Sequence, residues 1–197
     1  MKLKEGLEHK GRPFIIPNTL RRDFPAFFKE MGYKVGAEVG VYRAGYSEEF
    51  CKAGFKFYAI DPWAGYIGAG RTEKKQEEQD KSYEIAKDIL SKYPNCTIIR
   101  KSSMDAVKDF EDGSLDFVYI DGDHRFRYIA EDIAEWIEKV RVGGIISGHD
   151  YWNTSPEAEN VRCQVGAVVD AYVAAYKIED FYITSNNRAP SWFWIRK

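Results

Sequence analysis

Four acidic residues stand at or just past short runs of Val, Ile, Phe and Tyr: Glu38 late in the run 34–41, Asp61 after 55–60, Asp121 after 115–120 and Asp150 after 144–147. Two of the three histidines, His124 and His149, fall in the same zones. A carboxylate only accepts hydrogen bonds and can also hold a cation, whereas an imidazole exchanges a proton near neutral pH. Any one of these acids alone reads as an exposed loop carboxylate or a helix cap. Taken together behind four hydrophobic runs, they read as a site.

The first of these runs leads into a turn, Glu38-Val39-Gly40-Val41-Tyr42-Arg43-Ala44-Gly45. Glycine there lets a ligand approach the backbone, and the helix that follows offers unpaired N–H groups. The Gly-x-Gly-x-x-Gly spacing of dinucleotide binding is absent. Asp61 nevertheless follows at about the distance, roughly 20 residues, at which such folds place a ribose-binding acid.

The elements that must position these residues alternate. Buried strands are expected at 34–41, 55–60, 97–100, 115–120 and 144–147. Helices are expected between them. Ser47, followed by Glu48 and Glu49, reads as an N-cap with an acidic first turn. A second helix is expected over 83–93. In a third, Ile129, Ile133, Trp136, Ile137 and Val140 form one stripe, with Glu131, Asp132, Glu135 and Glu138 facing away, until Gly143 and Gly144 stop it. Residues 64–80 read as a solvated loop running into an exposed helix start. Residues 161–176 read as a helix, and 177–184 with 191–196 as a closing hairpin around Asn186-Asn187. An N-terminal helix over 20–31 carries Pro25 in its first turn. The repeated alternation implies an α/β fold, a parallel sheet with helices on both faces and right-handed crossovers. In such a sheet ligands bind beyond the carboxyl ends of the strands, where the acids and histidines lie.

Composition narrows the class. The 197 residues are 44% hydrophobic, 15% aromatic and 30% charged, too apolar for a disordered chain and too charged for a membrane protein. With 29 basic against 31 acidic residues and no basic block, charge gives no reason to expect a nucleic-acid partner. Residues 1–12 show neither a signal peptide nor an anchor, so a cytoplasmic protein is the expectation. Cys51, Cys96 and Cys163 are odd in number and widely spaced, which suits reduced, buried thiols rather than disulfides or structural zinc.

The segments GAEVGVYRAGYS, FYAIDPW, SSMDAV, LDFVYIDGDHRF and VGGIISGHDYW, in that order over residues 36–152, resemble a class I S-adenosylmethionine-dependent methyltransferase. More narrowly they resemble the compact group of macrocin-type O-methyltransferases and cephalosporin-hydroxylase-like proteins. Ala44 departs from the pattern, standing where many relatives have a second glycine. The resemblance implies a Rossmann-like three-layer sandwich with a mostly parallel seven-stranded sheet and an antiparallel last strand. It also implies one methyltransferase domain over 1–197, with a helical extension over 1–33.

The same resemblance implies roles for residues. Glu38, Gly40 and Gly45 would line the methionine and ribose part of an S-adenosylmethionine pocket, Asp61 would accept from both ribose hydroxyls, and Ser103 and Met104 would edge the adenine. On the residues alone, Ser103 reads as a helix cap and Met104 as core. Asp121, His149 and Asp150 match a site for Mg²⁺ or another divalent cation, Asp121 also being a candidate for the cofactor amine. Catalysis would rest on Asp121 and on His124 as base, with His149 the second choice of base. Trp63, Tyr66, Tyr151 and Trp152 would wall a sugar or aryl acceptor. The expected activity is O-methylation of a small-molecule hydroxyl, with a small-molecule substrate, no nucleic acid, no membrane and a homo-oligomer allowed. A metal-dependent hydroxylase-like enzyme and a non-catalytic nucleotide-binding protein are the alternatives on the same fold.

Overall fold

The computed structural model describes residues 1–67, 73–152, 163–185 and 188–197. In chain order the elements are α1 (Leu3–Gly6), β1 (Phe14–Ile16), a 3₁₀ turn (Arg21–Asp23), α2 (Phe24–Glu30), β2 (Val35–Val39), α3 (Ser47–Lys52), β3 (Lys56–Ile60), the short strands β4 (Tyr66–Ile67) and β5 (Glu73–Lys74), and α4 (Gln76–Leu90). Then come β6 (Cys96–Ile99), α5 (Ser103–Ala106), a 3₁₀ turn (Val107–Asp109), β7 (Leu115–Ile120), α6 (Phe126–Lys139), β8 (Val140–Gly148), α7 (Val165–Ala175), β9 (Tyr182–Thr184) and β10 (Trp192–Ile195).

The main sheet has eight strands in the order β1-β9-β10-β8-β7-β2-β3-β6. Seven follow the expected layout, with β10 antiparallel to both β8 and β9. The eighth corrects the count: Phe14–Ile16 pairs parallel to β9 at the sheet edge, so the segment before β2 contributes a strand as well as helices. Only three residues long, β1 shows too little alternation to be read from sequence.

Alternation along the strands decides what each face packs. Phe117 and Tyr119 of β7 point to one side, where they meet Phe24, Phe27 and Phe28 of α2 and Phe50 of α3; Val118 and Ile120 point to the other, against α6 and α7. The first face is aromatic, with the rings of Phe28 and Phe117 centred 4.2 Å apart and those of Phe50 and Phe57 4.9 Å apart. The second is built on Ile129, Ile133 and Trp136 of α6 with Val165, Val168 and Val169 of α7.

Several boundaries move from the expectation. Pro25 does sit in the first turn of α2, but a 3₁₀ turn precedes it. The helix expected over 83–93 starts at Gln76, so part of the charged stretch is helical; Gln79, Ser82, Ala86 and Leu90 form its buried side. Part of the loop read over 64–80, at 68–72, lies outside the described residues, as do 153–162 and Asn186-Asn187. Gly143 and Gly144 do not stop a helix: α6 ends at Lys139 and β8 runs from Val140 through both glycines. Asp132, read as facing away, is buried at 4% exposure because Ser103 supplies it with a hydrogen bond. Ser47 is not a cap either. It is the first residue of α3, and its hydroxyl donates to Glu38. The three cysteines are free; Cys51 is buried and the other two half-buried.

Candidate active site

The carboxyl ends of β2, β3, β7 and β8 lie side by side, since β3 pairs with β2, β2 with β7 and β7 with β8, all parallel. Glu38, Asp61, Asp121 and Asp150 therefore share one edge, as the sequence implies.

On the β2–β3 side the turn after β2 is wound tightly, with positive φ at Gly40 (94°), Tyr42 (53°) and Ala44 (62°). Gly40 is demanded by the protein itself: a Cβ there would stand 2.2 Å from the Asp121 carbonyl oxygen. A Cβ on Gly45 would meet nothing within 4 Å, so that position leaves open space. Ala44 adopts the left-handed conformation that glycine favours, which gives a physical reason for glycine at that place in the motif. Asp61 binds this turn from the neighbouring strand. Its Oδ2 accepts from the N–H groups of Val41 and Tyr42, both at 2.9 Å, and its Oδ1 from the N–H of Trp63 at 2.7 Å. Glu38 is buried at 1% exposure, and burial pushes its carboxyl up to about 8 against the pull of the Ser47 hydrogen bond and of Arg21.

On the β7–β8 side the groups hold one another. His124 Nε2 lies 3.6 Å from Asp121 Oδ1 and 3.3 Å from Asp150 Oδ2. His149 Nδ1 lies 3.1 Å from the same oxygen of Asp150 and 3.9 Å from Asp121 Oδ1. Burial disfavours a charged His124, but the hydrogen bond to Asp121 and the charge of Asp150 outweigh it and the imidazole is shifted up. Asp150 is shifted down: burial opposes this, and the His149 hydrogen bond and the charge of His124 prevail. Its backbone is left-handed at φ 54°, a strained conformation of the kind that collects at functional sites. Ligand atoms of Asp121, His124 and Asp150 all lie within 4.8 Å of one another, close enough for one ion at about 2.0 to 2.6 Å from each. This donor set includes His124, whereas the sequence match pointed to His149. Both imidazoles converge on Asp150.

The adenine-side residues are arranged differently from the sequence reading. Ser102, not Ser103, caps α5, accepting from the Asp105 N–H at 3.2 Å. Ser103 joins a buried network, donating to Asp132 and accepting from Trp136 Nε1 at 2.8 Å, while Met104 is half-buried beside it. Burial raises the Asp132 carboxyl to about 7 despite that bond.

The four aromatic residues expected as a wall divide. Trp63 is fully buried and its indole N–H donates to the Tyr42 carbonyl at 2.7 Å, and Tyr151 donates to Asp170 at 2.6 Å; both serve the fold. Tyr66 and Trp152 are exposed at 46% and 38%. Phe126, two residues past His124, is 51% exposed and is not among the residues expected there. Gln164 was missed as well. Its backbone N–H donates to the His124 carbonyl at 2.9 Å and its Oε1 accepts from the Phe126 N–H at 2.8 Å, fixing the loop that carries the imidazole. Arg21 is the third: it donates to Asp121 Oδ2 at 2.9 Å from 100 residues away, a separation no local spacing reveals.

Comparison with known proteins bears on the family and the fold. Residues 35–151 match the family described as methyltransferase domain. An uncharacterized protein y4gI of Sinorhizobium fredii is 26% identical over 93 residues, 47% of this chain; the match spans only 10% of that curated relative's length. Among solved structures, an rRNA methylase from Streptococcus thermophilus superposes with TM-score 0.63 at 11% identity, covering 91% of this chain and 98% of that one. For a caffeoyl-CoA O-methyltransferase structure from Staphylococcus aureus the values are 0.65 and 10%, over 88% and 81%. For an O-methyltransferase from Bacillus cereus in complex with SAH they are 0.61 and 11%, over 89% and 80%. At these identities the shared property is the fold. Among the described residues no helix is long and apolar enough to cross a membrane.

Proposed function

The chain belongs to the methyltransferase domain family, and from that premise we propose that it is an S-adenosylmethionine-dependent enzyme that methylates a hydroxyl oxygen of a small molecule such as a sugar or aryl alcohol. We place the whole of 1–197 in one catalytic domain acting in the cytoplasm. The observation that carries the reading is the meeting of Asp121, His124 and Asp150 beside the Gly40 turn and Asp61.

The cofactor supplies an already activated methyl group, so the protein's task is to align an acceptor and take its proton. Asp61 and the turn from Gly40 to Gly45 would hold the ribose and methionyl end, and Ser103 with Met104 the adenine side. His124 would take the proton from the acceptor hydroxyl at Nε2, and Asp121 and Asp150 would stabilise the imidazolium so formed. Tyr66, Phe126 and Trp152 would flank the acceptor and exclude water. The donor set of Asp121, His124 and Asp150 also fits a divalent cation, which when held would supply Lewis acidity toward an acceptor oxygen; His124 Nε2 would then be a ligand and His149, beside Asp150, would take the proton instead. Two carboxylates and one imidazole suit Mg²⁺ or Mn²⁺ and admit Fe²⁺ or Zn²⁺.

Calorimetry with S-adenosylmethionine and S-adenosylhomocysteine, with Mg²⁺ and with a chelator, is the test. Both cofactor forms should bind, with affinity nearly independent of Mg²⁺. Asp150→Asn should retain that affinity while methyl transfer to a phenolic or sugar acceptor falls by roughly 100-fold or more, the scale of a lost acid–base group. Absence of binding by either cofactor form would end this reading.

A further inference from the structure

Arg21 enters the site from the 3₁₀ turn before α2, outside the stretch 35–151 that the family match covers. Its guanidinium is pinned on three sides. Nη2 donates to Asp121 Oδ2 at 2.9 Å and stands 3.9 Å from Glu38 Oε1. The plane lies over the ring of Tyr46 at 3.9 Å and faces Tyr119 at 5.5 Å. Tyr46 in turn donates its hydroxyl proton to the Arg21 carbonyl at 2.8 Å, so the backbone that launches the side chain is fixed as well.

This pinning leaves donors over. Nε is buried without a hydrogen-bond partner, and Nη1 bonds to no described residue, although the side chain keeps 30% exposure. A buried guanidinium N–H without an acceptor is costly, and the Nη1–H groups, which no described residue accepts from, are donors suited to a carboxylate oxygen. Charge narrows the identity of the missing group. S-adenosylmethionine carries a sulfonium, an ammonium and a single carboxylate, while at this end of the cleft the Asp121 carboxylate stands beside one guanidinium, with the buried Glu38 carboxyl behind it. The pattern of charges is the complement of that methionyl end.

We infer that Arg21 anchors the carboxylate of the cofactor's methionyl group through the Nη1–H groups of its guanidinium, with Asp121 and Tyr46 holding the group in place. This rests on the methyltransferase reading above and extends it to a residue outside the family stretch. A carboxylate on the acceptor substrate is the other source of the same chemistry, and the experiment separates the two.

The affinities of S-adenosylhomocysteine and of its decarboxylated analogue are measured by calorimetry, without acceptor, for the wild type, Arg21→Ala and Arg21→Lys. The wild type should prefer the carboxylated ligand. Arg21→Ala should lose roughly 10- to 100-fold for S-adenosylhomocysteine, the worth of charge-assisted hydrogen bonds, and less than about threefold for the analogue. Arg21→Lys, which keeps the charge and loses the fork, should fall between, and it carries the comparison alone if Arg21→Ala does not fold. An equal loss for both ligands would assign Arg21 to holding Asp121 and overturn the inference. No loss for either would overturn it in favour of an acceptor carboxylate. Failure of the wild type to bind either ligand would remove the methyltransferase reading and this inference with it.

Discussion

At the ends of β2 and β3, the carboxylate of Asp61 is met by three backbone N–H groups; at the ends of β7 and β8, Asp121 and Asp150 are met by two imidazoles and a guanidinium. The first arrangement is part of the chain path. Its donors move only if the turn after β2 unwinds or the chain after β3 shifts. The second is made of side chains whose charges balance one another, so a ligand or cation of the right sign can replace a partner without disturbing a strand. A group that must recognise the same cofactor in every cycle gains from the former, because preorganised donors cost nothing to reorder on binding. A group that must exchange a proton or hold an acceptor gains from the latter.

The strongest way to break this division is to move both halves at once, through a residue at which their backbones touch. Gly40 combines a φ of 94° with a Cβ position 2.2 Å from the Asp121 carbonyl. Gly40→Ala adds left-handed strain of about 1 to 2 kcal/mol and an overpacking cost of about 1 to 3 kcal/mol. Urea denaturation should therefore show a loss of about 2 to 5 kcal/mol, with Asp121 displaced and cofactor affinity reduced. A loss below about 1 kcal/mol would mean that the two strand ends are not in rigid contact, and the halves would then be independent.

How far each half was readable from sequence follows the same division. The β2–β3 side is local: Gly40, Asp61 and the strands carrying them lie within a short span, and their roles depend on periodicity and turn chemistry. The β7–β8 side announces its acids and histidines, but which of them meet depends on strand order and on loops. His124 stands with Asp121 and Asp150 as closely as the expected His149 does, and the loop bearing it is tied to Gln164. Arg21 and β1 were hidden for a related reason. Both act through partners 100 or more positions away, 100 for Arg21 with Asp121 and 168 for Phe14 with Tyr182, and nothing local encodes such meetings. Asp132 and Ser47 were misread in the opposite direction: local rules placed a charge on a wet face and a serine at a cap, and buried polar partners overrode them.

A smaller effect sharpens the comparison on the β2–β3 side alone. Three backbone donors already use most of the acceptor capacity of Asp61, about four lone-pair sites, so the residue has a structural role beside the ribose contact proposed for it. Asp61→Ala should lower unfolding free energy by about 1 to 3 kcal/mol and weaken S-adenosylhomocysteine binding by about 1.5 to 3 kcal/mol. Parallel denaturation and calorimetry read the two separately. A large loss of affinity at unchanged stability would show that the backbone clamp contributes nothing to the fold, and that the carboxylate serves the ligand only.

The smallest change concerns Ala44, buried and left-handed at φ 62°. Ala44→Gly relieves about 1 to 2 kcal/mol of backbone strain. Against that stand the larger unfolded-state entropy of glycine, about 0.5 to 1 kcal/mol, and the loss of one buried methyl, about 0.8 kcal/mol. The terms nearly cancel, so stability should change by less than about 1 kcal/mol. Cofactor affinity should not change, because the Ala44 N–H already donates to Val41 at 2.9 Å and its carbonyl accepts from Glu48 at 3.0 Å, and neither bond involves the side chain. Were the variant to lose 2 kcal/mol or more, about the value of a fully buried larger side chain, the methyl would be packing for which glycine in relatives needs a compensating neighbour. The turn after β2 would then depend on a side chain, as the β7–β8 end does, and the contrast between the two halves would narrow.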